Sequence, residues 1–292
     1  MNRSVNDTSS AALRPSADLL LIDCPDRRGL VHEVTGLVSR HGGNILENHE
    51  FVDRETGRFF MRTEFVGVTE PARVEREARD LLPAPATVRI GRAGGHRVVV
   101  LATREHHCLG ELLLRHLHGE LGASIEAVVA NRPVLGSLVG RFGLPFHLVS
   151  HEHQPREAQE ADLLEVLERY QPDYLVLAKY MRILSRGFLE RYPGRIINIH
   201  HSFLPAFVGS NPYRQAFARG VKIIGATAHF VTPELDEGPI IAQAVVPVDH
   251  SHMPSAMAQA GRDVEKLVLA RALGLVFEHR VFLNGNRTIV FE

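Results

Sequence analysis
Five short apolar runs between residues 97 and 200, RVVVLAT, IEAVVANR, PFHLVS, YLVLAKY and RIINIH, constrain this chain more than any other feature. Each is nearly continuous in apolar or β-branched residues, without the alternation of a strand that meets water on one face. Between them lie stretches of helical period at about 109–117, 134–143, 158–170 and 185–192. Strands buried on both faces and separated by helices form a parallel sheet covered on each side. Residues 97–292 are therefore expected to build an open, mostly parallel, Rossmann-like α/β domain. Ligands of such sheets sit beyond the carboxyl ends of the strands.

The first third of the chain has a different rhythm. DLLLIDCPDRRGLVHEVTGLVSRHGG, from Asp18, reads as a strand, a turn with Pro25 and Gly29, and a helix with Val31, Val34, Leu37 and Val38 on one face, stopped by Gly42 and Gly43. Two strands around a hairpin at 55–58, a second helix and a fourth strand follow. The order βαββαβ is the ferredoxin-like plan, expected over 18–92. Glycine density rises and periodicity stops in GRAGGH, so 93–96 is expected to be a linker. Residues 1–17, polar and Ser-rich, are expected to be a loose tail.

Composition excludes several classes of function. A formal net charge of −1 supplies no positive field for nucleic acid. Two cysteines, Cys24 and Cys108, cannot make a disulfide framework, and there is no apolar run of the ~18 residues a span requires, so neither a membrane nor an oxidising compartment is indicated. The expected location is the cytoplasm.

Chemistry enters at RIINIHHSFLPAF, where Asn198 and His200 end a buried strand on the same side of the sheet. A carboxamide donor beside an imidazole suits a developing oxyanion and a proton transfer. An isolated Asn-x-His is more often a loop cap beside a satisfied core histidine, so the rest of the sequence must decide. Downstream, ATAHFVTPELDEGPIIAQAVVPV reads as two strands joined by a loop carrying Asp236, a carboxylate able to orient His200 or a water, or simply a turn residue.

INIHHSFLPAFVG followed by GATAHFVTPELDEGPIIAQ resembles the folate-dependent formyltransferase superfamily. Within it, the doubled His200 and His201, HHCLGELL, AGRDVEKLVLARAL and the ending VFLNGNRTIVF resemble the formyltetrahydrofolate deformylases, and the leading unit is similar to an ACT domain. The resemblance implies that Asn198 donates to a formyl oxygen, that His200 stabilises the tetrahedral oxyanion and moves protons, and that Asp236 holds His200 and the attacking water. It also implies a pterin lying against Met181, Arg182, Ile183 and Leu184 and against the loop from Thr232 to Asp236, with Gly238 and His201 also binding substrate. Asn211 in VGSNPYRQA departs from the basic residue expected in many relatives.

Relatives that transfer the formyl group to a phosphorylated amine carry a glycine-rich phosphate loop after the first strand. Here Glu105, His106, His107 and Cys108 stand in that place, so water becomes the expected acceptor and 10-formyltetrahydrofolate the expected substrate. No redox or nucleotide cofactor is implied, because G-x-S-x-G, P-loop and G-x-G-x-x-G patterns are missing. Among the 17 histidines, His151 with His153, His250 with His252 and His106 with His107 invite a metal, but no complete ligand pattern appears and none is expected. Three readings stand: hydrolysis that supplies formate for purine synthesis and balances one-carbon folates, formyl transfer to an amine such as glycinamide ribonucleotide, and a catalytically dead effector-binding regulator. The ACT-like unit is expected to join copies into a homo-oligomer, a dimer or tetramer. It is also expected to take an amino-acid effector such as glycine or methionine near Asp26, Gly29 and Asn44.

Overall fold
The computed structural model describes residues 17–205 and 212–292, so the expected tail (apart from residue 17) and Asn211 lie outside the described residues. The chain divides into two compact units between Ala93 and Gly94.

The first unit runs β1 (Asp18–Pro25), α1 (Leu30–Arg40), β2 (Asn44–Asp53), β3 (Arg58–Val66), α2 (Pro71–Leu81) and β4 (Thr87–Gly91). The strands lie in the order β2-β3-β1-β4, every pair antiparallel, which is the ferredoxin-like sheet. Alternation along β1 turns Leu20, Ile22 and Cys24 onto a core shared with Val34, Leu37 and Val38 of α1 and with Val74 and Ala78 of α2. Leu30 completes the buried stripe of α1, whereas Val31, expected on that face, lies at its margin and is 37% exposed. On the opposite sheet face Leu19, Leu21, Phe60 and Arg62 are buried, Arg62 between Glu47 at 2.8 Å and Glu64 at 3.3 Å. The outer strand β2 pairs only with β3 among the described residues, and exposes Leu46 and Phe51.

The second unit opens with β5 (His96–Ala102), α3 (His107–Leu117), β6 (Ala123–Ala130), a single 3₁₀ turn (Pro133–Leu135), α4 (Gly136–Gly140) and β7 (Phe146–Leu148). It continues through α5 (Arg156–Tyr170), β8 (Tyr174–Ala178), α6 (Arg186–Leu189), β9 (Ile196–His200), α7 (Pro212–Arg219), β10 (Ile223–Phe230) and β11 (Ile240–Pro247). The long α8 (Pro254–Phe277) and the hairpin β12 (Val281–Asn284) and β13 (Arg287–Val290) end it. The seven-stranded sheet has the order β11-β10-β9-β8-β5-β6-β7. Strands β5 to β9 are parallel, and β10 and β11 add to that edge antiparallel.

Successive residues of β5 feed opposite layers, as a doubly covered strand requires. Val98, Val100 and Ala102 pack with Leu109, Leu112 and Leu113 of α3 and with Leu269 and Leu273 of α8. Val99 and Leu101 pack with Leu163 and Leu167 of α5. Sequence order reverses between β5 and β8, and at that switch the Met181 amide donates to Thr103 Oγ1 at 2.9 Å, tying the two post-strand loops together.

Candidate active site
Strand β9 carries Asn198 and His200 to one side of the sheet edge, and the antiparallel arrival of β10 decides what faces them. Its register sets Asn198 opposite His229 and His200 opposite Thr227. Asn198 Nδ2 lies 3.3 Å from His229 Nε2, while His229 Nδ1 donates to the Phe230 carbonyl at 2.9 Å. The carbonyl contact assigns the proton to Nδ1, so Nε2 accepts and the Asn198 carboxamide is held with its nitrogen toward His229. Burial pushes the His229 imidazole below its ordinary value, which keeps Nε2 an acceptor. Thr227 Oγ1 donates to the Ser202 carbonyl at 2.9 Å and receives the Leu204 amide at 3.1 Å, fixing the chain just after β9.

The loop from β10 to β11 returns Asp236 to these histidines. The Phe230 amide donates to the Pro239 carbonyl at 2.9 Å and closes the loop at its base. Closure this tight needs glycine at 238, because a Cβ there would lie 1.8 Å from the Phe230 carbonyl oxygen. Within the loop Asp236 adopts φ of 57°, a left-handed conformation that aspartate tolerates better than most residues. Asp236 Oδ1 is thereby 3.3 Å from His200 Nδ1 and 3.8 Å from His229 Nε2. The His200 contact holds the Asp236 carboxyl below its ordinary range despite partial burial, so it stays ionised at neutral pH. His200 Nε2 is buried and has no partner among the described residues, leaving one ring nitrogen for a ligand. His201 stacks on His200 with centroids 4.8 Å apart. Its imidazole is pushed down to about 4, chiefly by burial and then by Lys179 and His200.

These groups line a cavity of about 310 Å³. Met181, Arg182, Ile183 and Leu184 form one wall and Thr232, Pro233, Leu235 and Asp236 another, with Leu177, Ile199 and Val231 supplying apolar surface. Asn198, His200, His201, Asp236, Thr232 and the 181–184 segment thus share one site. Gly238 does not line it and acts in the loop's closure. In the first unit, Asp26 and Gly29 share the exposed turn before α1, where Gly29 has φ of 94°. Asn44 does not join them: it opens β2 beyond the far end of α1, an 11-residue helix roughly 16 Å long.

A second cavity, about 1110 Å³, opens at the β5/β8 switch and shares Lys179, Met181 and His201 with the first. Its floor holds a fully buried carboxylate that sequence reasoning passed over. Glu265 of α8 takes His107 Nε2 at 2.7 Å, Tyr213 Oη at 2.7 Å and Lys179 Nζ at 3.1 Å. Burial alone would raise this carboxyl, but the His107 hydrogen bond, the Lys179 ammonium and the Tyr213 hydroxyl together hold it down, at about 2. His107, Cys108 and Glu265 converge closely enough to suggest a metal. The donor set does not fit one: an ammonium already neutralises the carboxylate, and burial pushes the Cys108 thiol well above its ordinary value, away from the thiolate a metal needs. Neither Glu265 nor Lys179 stood out in sequence, since one lies in a helical stretch and the other ends an apolar strand. His229 was visible only through the alternation of GATAHF against INIH.

Comparison with known proteins matches residues 96–273 to the formyl transferase family and residues 19–83 to the ACT domain. A curated formyltetrahydrofolate deformylase of Haemophilus influenzae is 52% identical over 93% of this chain and 98% of its own length. The crystal structure of a formyltetrahydrofolate deformylase from Pseudomonas syringae pv. tomato superposes with a TM-score of 0.91 at 40% identity, covering 97% of this chain and 96% of that one. The glycinamide ribonucleotide transformylase 1 of Symbiobacterium toebii superposes with a TM-score of 0.65 at 33% identity, covering 68% of this chain and 95% of that one.

The loop geometry makes a direct prediction. Gly238→Ala must push the loop off the Phe230 carbonyl and displace Asp236. A misplacement of about 1 Å near the chemistry lowers turnover by roughly a hundredfold. Steady-state kinetics with circular dichroism should therefore show a folded variant with kcat reduced on that order; unchanged kcat would contradict the role given to the closure.

Proposed function
The chain belongs to the formyltetrahydrofolate deformylase family, and from that premise we infer that it hydrolyses 10-formyltetrahydrofolate to formate and tetrahydrofolate through Asn198, His200 and Asp236. The observation that carries the assignment of roles is the buried, unpartnered Nε2 of His200 backed at Nδ1 by Asp236. A carboxylate at Nδ1 keeps a proton on that nitrogen, so in the neutral ring Nε2 bears the lone pair. Nε2 then takes a proton as water attacks the formyl carbon, and Asp236 compensates the positive charge that develops on the ring. Oxygen charge builds up in the same step. Asn198, its amide orientation set by His229, donates to the formyl oxygen, and the protonated His200 stabilises the oxyanion. Collapse breaks the bond to N10, an aryl amine that leaves once His200 returns the proton.

The pterin lies along residues 181–184 and along Thr232, Pro233, Leu235 and Asp236, all of which line the 310 Å³ cavity. Arg182 Nε is buried without a partner among the described residues, which supports a ligand contact for this side chain over a surface role. Formyl transfer to an amine is the weaker alternative, because His106 and His107 open α3 where a phosphate loop would be. A catalytically dead regulator is disfavoured by the complete catalytic set. The formate released supplies purine synthesis, and the reaction balances one-carbon folates. The two thiols, Cys24 and Cys108, are buried and unpaired, in keeping with a cytoplasmic setting.

The first unit binds an amino-acid effector such as glycine or methionine and joins copies of the chain. The surface for assembly is the outer edge β2, which pairs only with β3 among the described residues and exposes Leu46 and Phe51.

His200→Ala and Asp236→Asn should each lower kcat by roughly a hundredfold or more with little change in melting temperature. Near-normal formate release by either variant would remove that residue from the mechanism. Light scattering should give an oligomer for the wild type and a smaller species for Leu46→Lys/Phe51→Lys. An unchanged mass would refute assembly through β2, and turnover indifferent to glycine and methionine would refute regulation by them.

A further inference from the structure
Lys179 is the residue the mechanism leaves unused, and its environment is costly to maintain. It follows β8 directly, at the switch between β5 and β8, with φ of 63°, a conformation glycine adopts freely and lysine does not. Its side chain is 5% exposed, and its ammonium is paired with a carboxylate that is 1% exposed. That carboxylate is in turn held by His107 and Tyr213, drawn from α3 and α7. Three helices, α3, α7 and α8, therefore combine to fix one positive charge. Lys179 also lines both cavities, the one containing Asn198, His200 and Asp236 and the larger one at the sheet's switch point, where α/β sheets ordinarily take a ligand. His201, the next shared residue, is neutral and stacked on His200.

From this juxtaposition we propose that the Lys179–Glu265 pair is the acceptor gate, a specificity device that fills the passage from the switch-point cavity to the formyl carbon with a fixed ammonium. Water passes it, whereas a larger amine acceptor meets the fixed side chain. The inference rests on the hydrolytic reading above. In the wild type, water oxygen bonds to the formyl carbon, the carbon–N10 bond breaks and N10 takes a proton, giving formate, a released proton and tetrahydrofolate. With the gate open, an amine nitrogen bonds to the same carbon, the carbon–N10 bond breaks, and one amine proton passes to N10, giving a formamide and tetrahydrofolate. A left-handed backbone accepts glycine, so Lys179→Gly removes the ammonium without backbone strain. Because it also strands Glu265, the variant Lys179→Gly/Glu265→Gln removes both charges and guards against a folding failure, since unpairing a buried ion is far more destabilising than neutralising both partners.

The full-length wild type and both variants are incubated with 10-formyltetrahydrofolate and an excess of glycinamide, and formate and N-formylglycinamide are quantified together. Wild type should give formate alone; if it gives none, the hydrolytic reading itself fails. With the gate removed, roughly a tenth or more of the formyl groups should appear on glycinamide. For any variant too slow to turn over, calorimetric titration of glycinamide into the tetrahydrofolate-saturated protein replaces the product assay, with saturable binding expected in the variants and none in the wild type. Variants that are folded and bind tetrahydrofolate, yet form no N-formylglycinamide and bind no glycinamide, overturn the gate.

Discussion

The register between β9 and β10 is the constraint on which the catalytic site depends. Side-chain direction alternates along a strand, so a slip of one residue would turn His229 away from Asn198 and Thr227 away from the segment after β9. Antiparallel addition at the edge of an otherwise parallel sheet brings the end of β10 back beside Asn198, and the loop that follows starts beside Ile196 and must fold back to reach His200. The Phe230–Pro239 hydrogen bond and the bare Cα of Gly238 shorten that loop until Asp236 faces two imidazoles. A single backbone pairing thus supplies the amide, its orienting histidine, and the starting point of the carboxylate.

Charge is handled differently in the two adjoining cavities. Around His200 the pairing is incomplete: Asp236 is met by His200 Nδ1, while Nε2 is left without a partner in a buried position. An orphaned buried polar atom is unfavourable in an empty site, and a ligand removes the penalty. Around Glu265 the pairing is saturated by a hydroxyl, an imidazole and an ammonium, so the cluster behaves as a rigid fixture. The unsatisfied nitrogen of the small cavity and the satisfied carboxylate of the large one are what the proposed chemistry in the first and the proposed exclusion in the second require.

Much of this was legible in the sequence, and the rest was missed for identifiable reasons. Near-continuous apolar runs announced the parallel sheet because strands covered on both faces cannot afford polar positions. The βαββαβ unit showed through its two helical stripes, although Val31 was assigned to a face whose margin it occupies. Asn198, His200 and Asp236 were legible as a pattern of residue types at the end of a strand and in a loop. His229 was harder to see, since its function arises from cross-strand register, which no single strand records. Lys179 and Glu265 lie 86 residues apart and meet only after α8 packs beneath the sheet, so periodicity described them as the end of a strand and the middle of a helix.

The central claim is that water, activated at His200, attacks the formyl carbon. Turnover of 10-formyltetrahydrofolate in ¹⁸O-labelled water, followed by mass spectrometry of the formate, tests it most directly. The account predicts formate carrying a single solvent-derived oxygen, formed in equal amount to tetrahydrofolate with no acceptor present. Tetrahydrofolate formed without labelled formate, or formation that requires an added amine, would contradict it.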